Sequence, residues 1–347
     1  MKWHNALITY VPYKSSLDTP GDRRRFVFYA KERGIKIRLA NSNEKYDIVY
    51  VTYGCNLSEW IEYKIVNPDV KLVFELIDSY LFESTGFLSI FRGLARFFLG
   101  RENSLWFDYK RALRKMIMHS DAVVCSTHAQ QLDIVRYNKN THIVLDFFSS
   151  DINYRKFSQR STGKLKLVWE GQAHTAINLL SLSSVFRRLG NRIELCIITD
   201  PVIRSPVSIL DRKTASLLSS LECDYYFVDW DSLDFCRHIS GCDLAIIPLA
   251  NENPMMWNKP ENKLLMFWEI GIPTLVSGTP AYKRVMDLAG LDFYCSTAED
   301  WFNKISFFIS SSVEYRESMI QKAELYISKY HTKEALLASW DSVFDSL

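Results

Sequence analysis

Short runs rich in valine, isoleucine and phenylalanine alternate with longer stretches of helical spacing, and the alternation runs through the chain twice. That pattern leaves few folds open. Strands separated by helices cross over right-handedly and form parallel sheets covered by helices on both faces. In the first half, strands are expected over residues 6–11, 35–40, 47–53, 71–77, 122–126 and 143–147. Helices are expected over 23–33, which Gly34 stops, and around 57–66. The polar tract 149–164 breaks the pattern and is the best linker. The alternation restarts with strands over 166–170, 194–199, 225–228, 243–248 and 274–277, and a long helical tail begins near Ala298. The reading is an α/β protein with domains at 1–155 and 164–330. In that reading a terminal helix in 331–347, with Trp340, crosses back onto the first domain. In parallel sheets ligands bind beyond the carboxyl ends of the strands, so the residues just after each strand carry the function.

The 347 residues suffice for two or three domains, each with a full core. With 48% hydrophobic and 24% charged residues, the chain is neither disordered nor a coiled coil. The formal charge of +2 is too balanced for a nucleic-acid coat, and no nucleic-acid partner is expected. Residues 1–155 hold 22 Lys and Arg against 17 Asp and Glu, and the remainder holds 20 against 23. An anionic partner would therefore meet the first half. The seven cysteines are odd in number and form no CxxC, and several sit in apolar runs. A reducing cytosol is expected, without disulfides or a zinc site. The N-terminal residues lack the apolar core of a signal peptide, and no apolar run reaches the length of a transmembrane helix.

The most informative segment is 251–282. A strand over 243–248 leads into a polar loop, and Pro260 suits the first position of a helix that Gly271 stops. Pro273 opens the next strand, which ends at Ser277-Gly278. The helix start presents the free amides of Glu261, Asn262 and Lys263, a natural phosphate site, with Lys259 and Lys263 supplying charge. Leu264, Leu265, Phe267 and Trp268 form its buried face.

Asn262-Lys263-Leu264-Leu265, Gly271-Ile272-Pro273 and the strand ending at Ser277 together resemble the donor-binding half of GT-B glycosyltransferases, of the family 4 or group 1 type. Val168-Trp169-Glu170-Gly171 resembles the first strand and glycine turn of that half. Phe227 to Trp230 and Cys242 to Leu249 resemble its base-binding edge and its following strand. Gly21-Asp22-Arg23-Arg24, Tyr46 to Val49 and Ser120 to Thr127 are similar to the acceptor half. The resemblance implies two Rossmann-like domains with parallel sheets facing a central cleft. It implies a nucleotide-diphosphate sugar as donor substrate, with no cofactor and no metal.

The chain also departs from that family. Many retaining members carry a ribose-binding Glu five residues before the helix-ending Gly, where this chain has Met266. A second Glu lies eight residues earlier, where it has Asn258. Glu261 and Glu269 form a literal E-x7-E three residues out of register. The Arg and Lys that grip the diphosphate after the first strand are absent from Gly171-Gln172-Ala173-His174-Thr175. Lys259, Lys263 and the helix amides are the expected substitutes.

The implied donor set is Gly171, His174, Trp230, Lys259, Asn262, Lys263 and Glu269. Gly171 lets a ligand approach the backbone, although a turn after a strand also favours glycine. Asp229-Trp230-Asp231 is a literal DxD, a metal motif in GT-A enzymes, but it ends a strand where GT-B members line the base pocket. Asp78 and His128 follow strands and are the candidate bases for deprotonating an acceptor hydroxyl; a turn or N-cap Asp is the plain alternative. Asp22, Arg23 and Arg24 are the acceptor-binding candidates, or simply a basic helix start.

Residues 86–115 combine aromatic residues at helical spacing with bases from Arg92 to Lys115. Such a stretch either lies on an anionic membrane or packs on its own domain. The membrane reading suits a lipid-linked glycan acceptor and a peripheral place on the inner face of the plasma membrane. The resemblance implies glycosyl transfer to a glycan or lipid-linked glycan in bacterial surface-polysaccharide assembly. Its rivals are an epimerase or polyol-phosphate transferase on the same fold, a non-catalytic GT-B-like binding or scaffold subunit, and an unrelated α/β protein.

Overall fold

The computed structural model describes residues 7–82, 96–98, 100, 102–148, 151–159, 163–204, 211–249 and 254–347. The chain forms two compact units. The first comprises Met1–Phe147, Asn258–Pro260 and Thr332–Leu347, and the second Phe148–Trp257 and Glu261–His331.

The first unit holds strands β1 (Ile8–Val11), β2 (Arg38–Leu39), β3 (Ile48–Thr52), β4 (Lys71–Leu76), β5 (Ala122–Cys125) and β6 (Thr141–Ile143). They pair in parallel in the order β2-β1-β3-β4-β5-β6. Strands β3 and β5 are buried throughout because helices cover both faces, which explains their unbroken apolar sequences. One face carries Val49, Val51, Phe74 and Val123 under the helices Leu57–Val66 and Tyr109–His119. Asn56 and Asp108 cap those helices, accepting from Glu59 N at 3.2 Å and Lys110 N at 3.0 Å. The other face carries Tyr10, Tyr50 and Val124 under the helix Phe26–Glu32 and the terminal helix Lys333–Asp345.

Two expectations in this unit are corrected. The helix expected over 23–33 is split into Pro20–Arg23 and Phe26–Glu32. The break lies at Arg25, whose backbone (φ −124°, ψ −114°) turns its side chain into the core. Gly34 does stop the second helix, at φ +67°. The strand expected over 143–147 lies earlier, at Thr141–Ile143. Val144 and Asp146 turn away instead, to meet the Arg25 guanidinium. Of the proposed membrane face, residues 86–95, 99 and 101 lie outside the described residues. Of its bases, Arg96 points inward: it donates to Cys55 O at 2.6 Å and pairs with buried Glu102 at 3.2 Å. No helix among the described residues is long and apolar enough to cross a membrane.

The second unit holds β7 (Leu165–Glu170), β8 (Ile193–Thr199), β9 (Val202–Ile203), β10 (Arg212–Lys213), β11 (Tyr225–Asp229), β12 (Leu244–Ile247), β13 (Thr274–Ser277) and β14 (Tyr294–Cys295). Six of them form a second parallel sheet, in the order β11-β8-β7-β12-β13-β14. Strands β9 and β10 form a separate antiparallel pair. The expected tail is three helices: Ala298–Ser310, Val313–Tyr330 and Lys333–Asp345. Ser312 and Thr332 separate them, each capping the helix that follows, at 3.2 Å to Tyr315 N and 3.1 Å to Ala335 N.

Candidate functional site

In the second sheet the order of connection reverses at β7. From β7 the chain steps outward to β8 and β11, then returns to the other side of β7 for β12, β13 and β14. The carboxyl ends of β7 and β12 therefore flank a switch point, where a crevice opens for a ligand. Gly171 follows β7 there, and the helix Asn262–Ile270 begins after the loop from β12.

The crevice is tight at Gly171. A Cβ there would stand 2.9 Å from Lys263 Nζ and 2.9 Å from the Trp169 ring. A larger residue would have to displace the Lys263 ammonium and the Trp169 ring. Thr199, at the end of β8, donates its hydroxyl to Gly171 O at 2.7 Å and fixes the turn. Lys263 Nζ donates to Glu170 O, pairs with the Glu170 carboxylate at 3.3 Å and lies 5.5 Å from the centre of the Trp169 ring. An ammonium has three N–H groups, so Lys263 keeps one for a ligand. Sequence reasoning missed Glu170 as its counter-ion, because a strand-end Glu carries no signal of its partner.

Asn262 opens the helix and is half-buried. Glu261 occupies the N-cap position and is sealed from solvent, paired with Arg284. Burial raises its pKa, and the Arg284 charge opposes that rise. Glu269 does not join this end of the site. It lies six residues beyond Lys263, about 9 Å along the axis, it is buried, and its carbonyl accepts from Arg155 Nε at 2.6 Å.

Trp230 follows β11, two strands from β7, and stacks on Phe235 at 5.9 Å. In the DxD tripeptide, Asp231 accepts from Leu233 N at 2.9 Å and so closes a turn. Among the described residues no group of three or more His, Cys, Asp or Glu could hold a metal ion. His174 is exposed and lines a groove of about 860 Å³ with Ile203, Asp211, Arg212, Lys213, Ser216 and Leu217.

The remaining candidates belong to the first unit. Lys259 was expected beside the donor, but its ammonium pairs with Asp78 Oδ1 at 2.6 Å. The two charges neutralise each other there. Asp78 also lines a narrow crevice with Ser79, Tyr80, Gln130 and Asp133. Gln130 Nε2 ties that crevice to the backbone, donating to Leu76 O at 2.7 Å and Asp78 O at 2.9 Å. Asp133 is a second carboxylate that sequence reasoning missed; burial raises its pKa against the pull of Arg136. His128 is the exposed first residue of the helix His128–Ile134 and does not line that crevice.

Asp22 is a correction. It is fully buried, and its oxygens accept from Tyr10 Oη at 2.7 Å, Tyr13 N at 2.9 Å and Thr19 Oγ1 at 2.5 Å. It shapes the loop after β1 and presents no oxygen to an acceptor. Arg23 and Arg24 stay half-exposed at the break after the first helix, with Arg23 donating to Asp18 O at 2.8 Å.

No family model matches the chain, and no curated protein matches it. Solved structures do resemble it. The Anabaena protein Alr3699/HepE, in complex with UDP and glucose, superposes with a TM-score of 0.66 at 11% identity, covering 99% of this chain and 100% of that one. S. aureus TarM, in complex with fondaparinux, alpha-GlcNAc-glycerol and UDP, gives 0.58 at 12% identity over 86% of this chain. The match spans only 55% of the TarM chain. Sucrose-phosphate synthase from Thermosynechococcus elongatus gives 0.59 at 11% identity, covering 97% and 80%. At such identities the likeness speaks for architecture: two parallel six-stranded sheets, each in its own unit, are the GT-B fold.

Proposed function

We propose that the protein is a glycosyltransferase that takes a sugar from a nucleotide-diphosphate sugar. The observation that carries this reading is the β7–β12 switch point, where Gly171, Lys263 and the first amides of the helix Asn262–Ile270 converge. A leaving diphosphate needs positive potential that is already in place, and helix amides with a lysine supply it. The solved relatives support the choice of ligand, since HepE is seen with UDP and glucose, and TarM with UDP and glycan-like molecules. In this reading the first unit takes a glycan acceptor, with Asp78 and Asp133 as the carboxylates for its hydroxyl. A lipid-linked acceptor in surface-polysaccharide assembly, met at the inner face of the plasma membrane, is the finer form. Failure to sediment with anionic vesicles would remove its membrane part.

The test is a thermal-shift panel of UDP, GDP, CDP, ADP and their sugars, with Mg²⁺ or with EDTA. A ligand at 100 times its dissociation constant adds about 2.7 kcal/mol. One base should stand out, unaffected by EDTA. The Lys263→Ala variant should then bind that nucleotide about 10–100-fold more weakly, the worth of one charge-assisted contact. A folded protein that responds to no nucleotide overturns the reading. One observation favours a second: Met266, buried at 3% exposure, stands where the resemblance expects a ribose-binding Glu. Nucleotide binding without any transfer to a panel of acceptors would mark a non-catalytic binding subunit.

A further inference from the structure

A nucleoside diphosphate is polyanionic, and each cation expected to grip it already faces a carboxylate. Lys263 is met by Glu170 at 3.3 Å and Lys259 by Asp78 at 2.6 Å. The β9–β10 hairpin offers the charge that is missing. Arg212 and Lys213 are exposed, and neither makes an ion pair or side-chain hydrogen bond with any described residue.

Their backbone is well placed and well held. Arg212 pairs with Ile203 and Lys213 with Val202 across the hairpin. Thr214, fully buried, fastens its base, with its amide on Pro201 O at 3.0 Å and its hydroxyl on Asp200 O at 2.7 Å. Asp200 follows Thr199, whose hydroxyl holds Gly171 O. The hairpin is thereby pinned to the carboxyl end of β8 and, through one residue, to the Gly171 turn. The groove of about 860 Å³ lies along the hairpin and reaches His174, three residues past Gly171. That volume suits a nucleotide-sized ligand. Arg212 and Lys213 line it with His174, and Ile203 and Leu217 give it apolar wall. Asp211 also lines it, which leaves the lining one positive charge in excess.

We infer that Arg212 and Lys213 hold the donor diphosphate from the groove side, adding to Lys263 the charge of the Arg and Lys missing after β7. The assignment rests on the glycosyltransferase reading and adds the residues that read the phosphates. Arginine suits the role because its planar fork meets two phosphate oxygens at once.

The test uses the full-length chain and calorimetric titration with UDP, GDP, CDP and ADP, each beside its nucleoside. For the diphosphate that binds the native protein, Arg212→Ala with Lys213→Ala should weaken binding about 100-fold. It should leave the matching nucleoside unchanged and flatten the salt dependence. The exchange Arg212→Lys with Lys213→Arg should restore most of the loss. Native-like diphosphate affinity in the double-alanine variant overturns the groove assignment alone. An equal loss for nucleoside and diphosphate also overturns it, because the phosphates would then not be what the pair reads. A native protein that binds none of the four overturns the glycosyltransferase reading, and this inference with it.

Discussion

Replacing Arg25 with methionine is expected to destabilise the first unit by about 3–5 kcal/mol. Arg25 is fully buried. Its Nε pairs with Glu75 Oε1 at 2.5 Å, and its Nη1 reaches Asp146 Oδ1 at 2.9 Å and Val144 O at 3.0 Å. One side chain thus joins the break between two helices, the end of β4 and the segment after β6. Burial works against the Arg25 charge, but Glu75 and Asp146 outweigh it and raise its pKa. Methionine keeps much of the volume and removes the charge, which leaves two carboxylates in a dry core.

That loss should depend on pH. Burial raises the Glu75 pKa above its ordinary value near 4.5, and the Arg25 charge and hydrogen bond hold the rise down. A carboxyl with a raised pKa in the folded state costs stability as pH climbs from its unfolded value through its folded one. Without Arg25 the folded pKa climbs further, so the cost grows and extends to higher pH. The gap between native and variant should therefore be wider at pH 7 than at pH 4.5. Hydrogen exchange at β3 and β4 reports on this unit by itself. A gap under about 1 kcal/mol, or one equal at both pH values, would show that the ion cluster does not hold the unit together.

The Trp340→Ala variant should lose a similar amount, about 3–5 kcal/mol, again in the first unit. Trp340 is 1% exposed, with ring centres 5.5 Å from Tyr29, 5.7 Å from Tyr50 and 6.2 Å from Phe26. Phe344, one turn later, stacks on Tyr29 at 5.3 Å. Asp341 accepts from Tyr29 Oη at 3.0 Å and pairs with Arg33. These contacts let the last helix seal an aromatic face that the first 50 residues cannot cover alone. The Leu325→Ala variant is the control, because Leu325 is 69% exposed. Surface changes of that kind stay within about 0.5 kcal/mol. Equal losses from the two variants would refute the sealing role.

Much of the architecture was legible because it is local. The expected strand at Thr274–Ser277 and the expected helix around Leu57–Val66 lie where the structure has them. Both are marked by periodicity and by the caps or stops beside them: Asn56 before the helix, and Gly271 at φ +86° before the strand. The β9–β10 hairpin was not legible, since its strands are two residues each and carry no alternation.

By itself, then, the sequence determined the two-fold α/β alternation, the parallel sheets and which residues follow their strand ends. Periodicity and turn chemistry are properties of neighbouring residues, and they survive in any context. Only the tertiary structure decided which charges are free. Arg25 breaks its helix for partners 50 and 121 residues away. Asp22 and Lys259 are spent inside the first unit, Lys263 is shared with Glu170 inside the second, and Arg212 and Lys213 stay exposed. An ionic side chain takes its partner from whatever strand lies beside it, and the lateral order of strands is written nowhere in the local sequence.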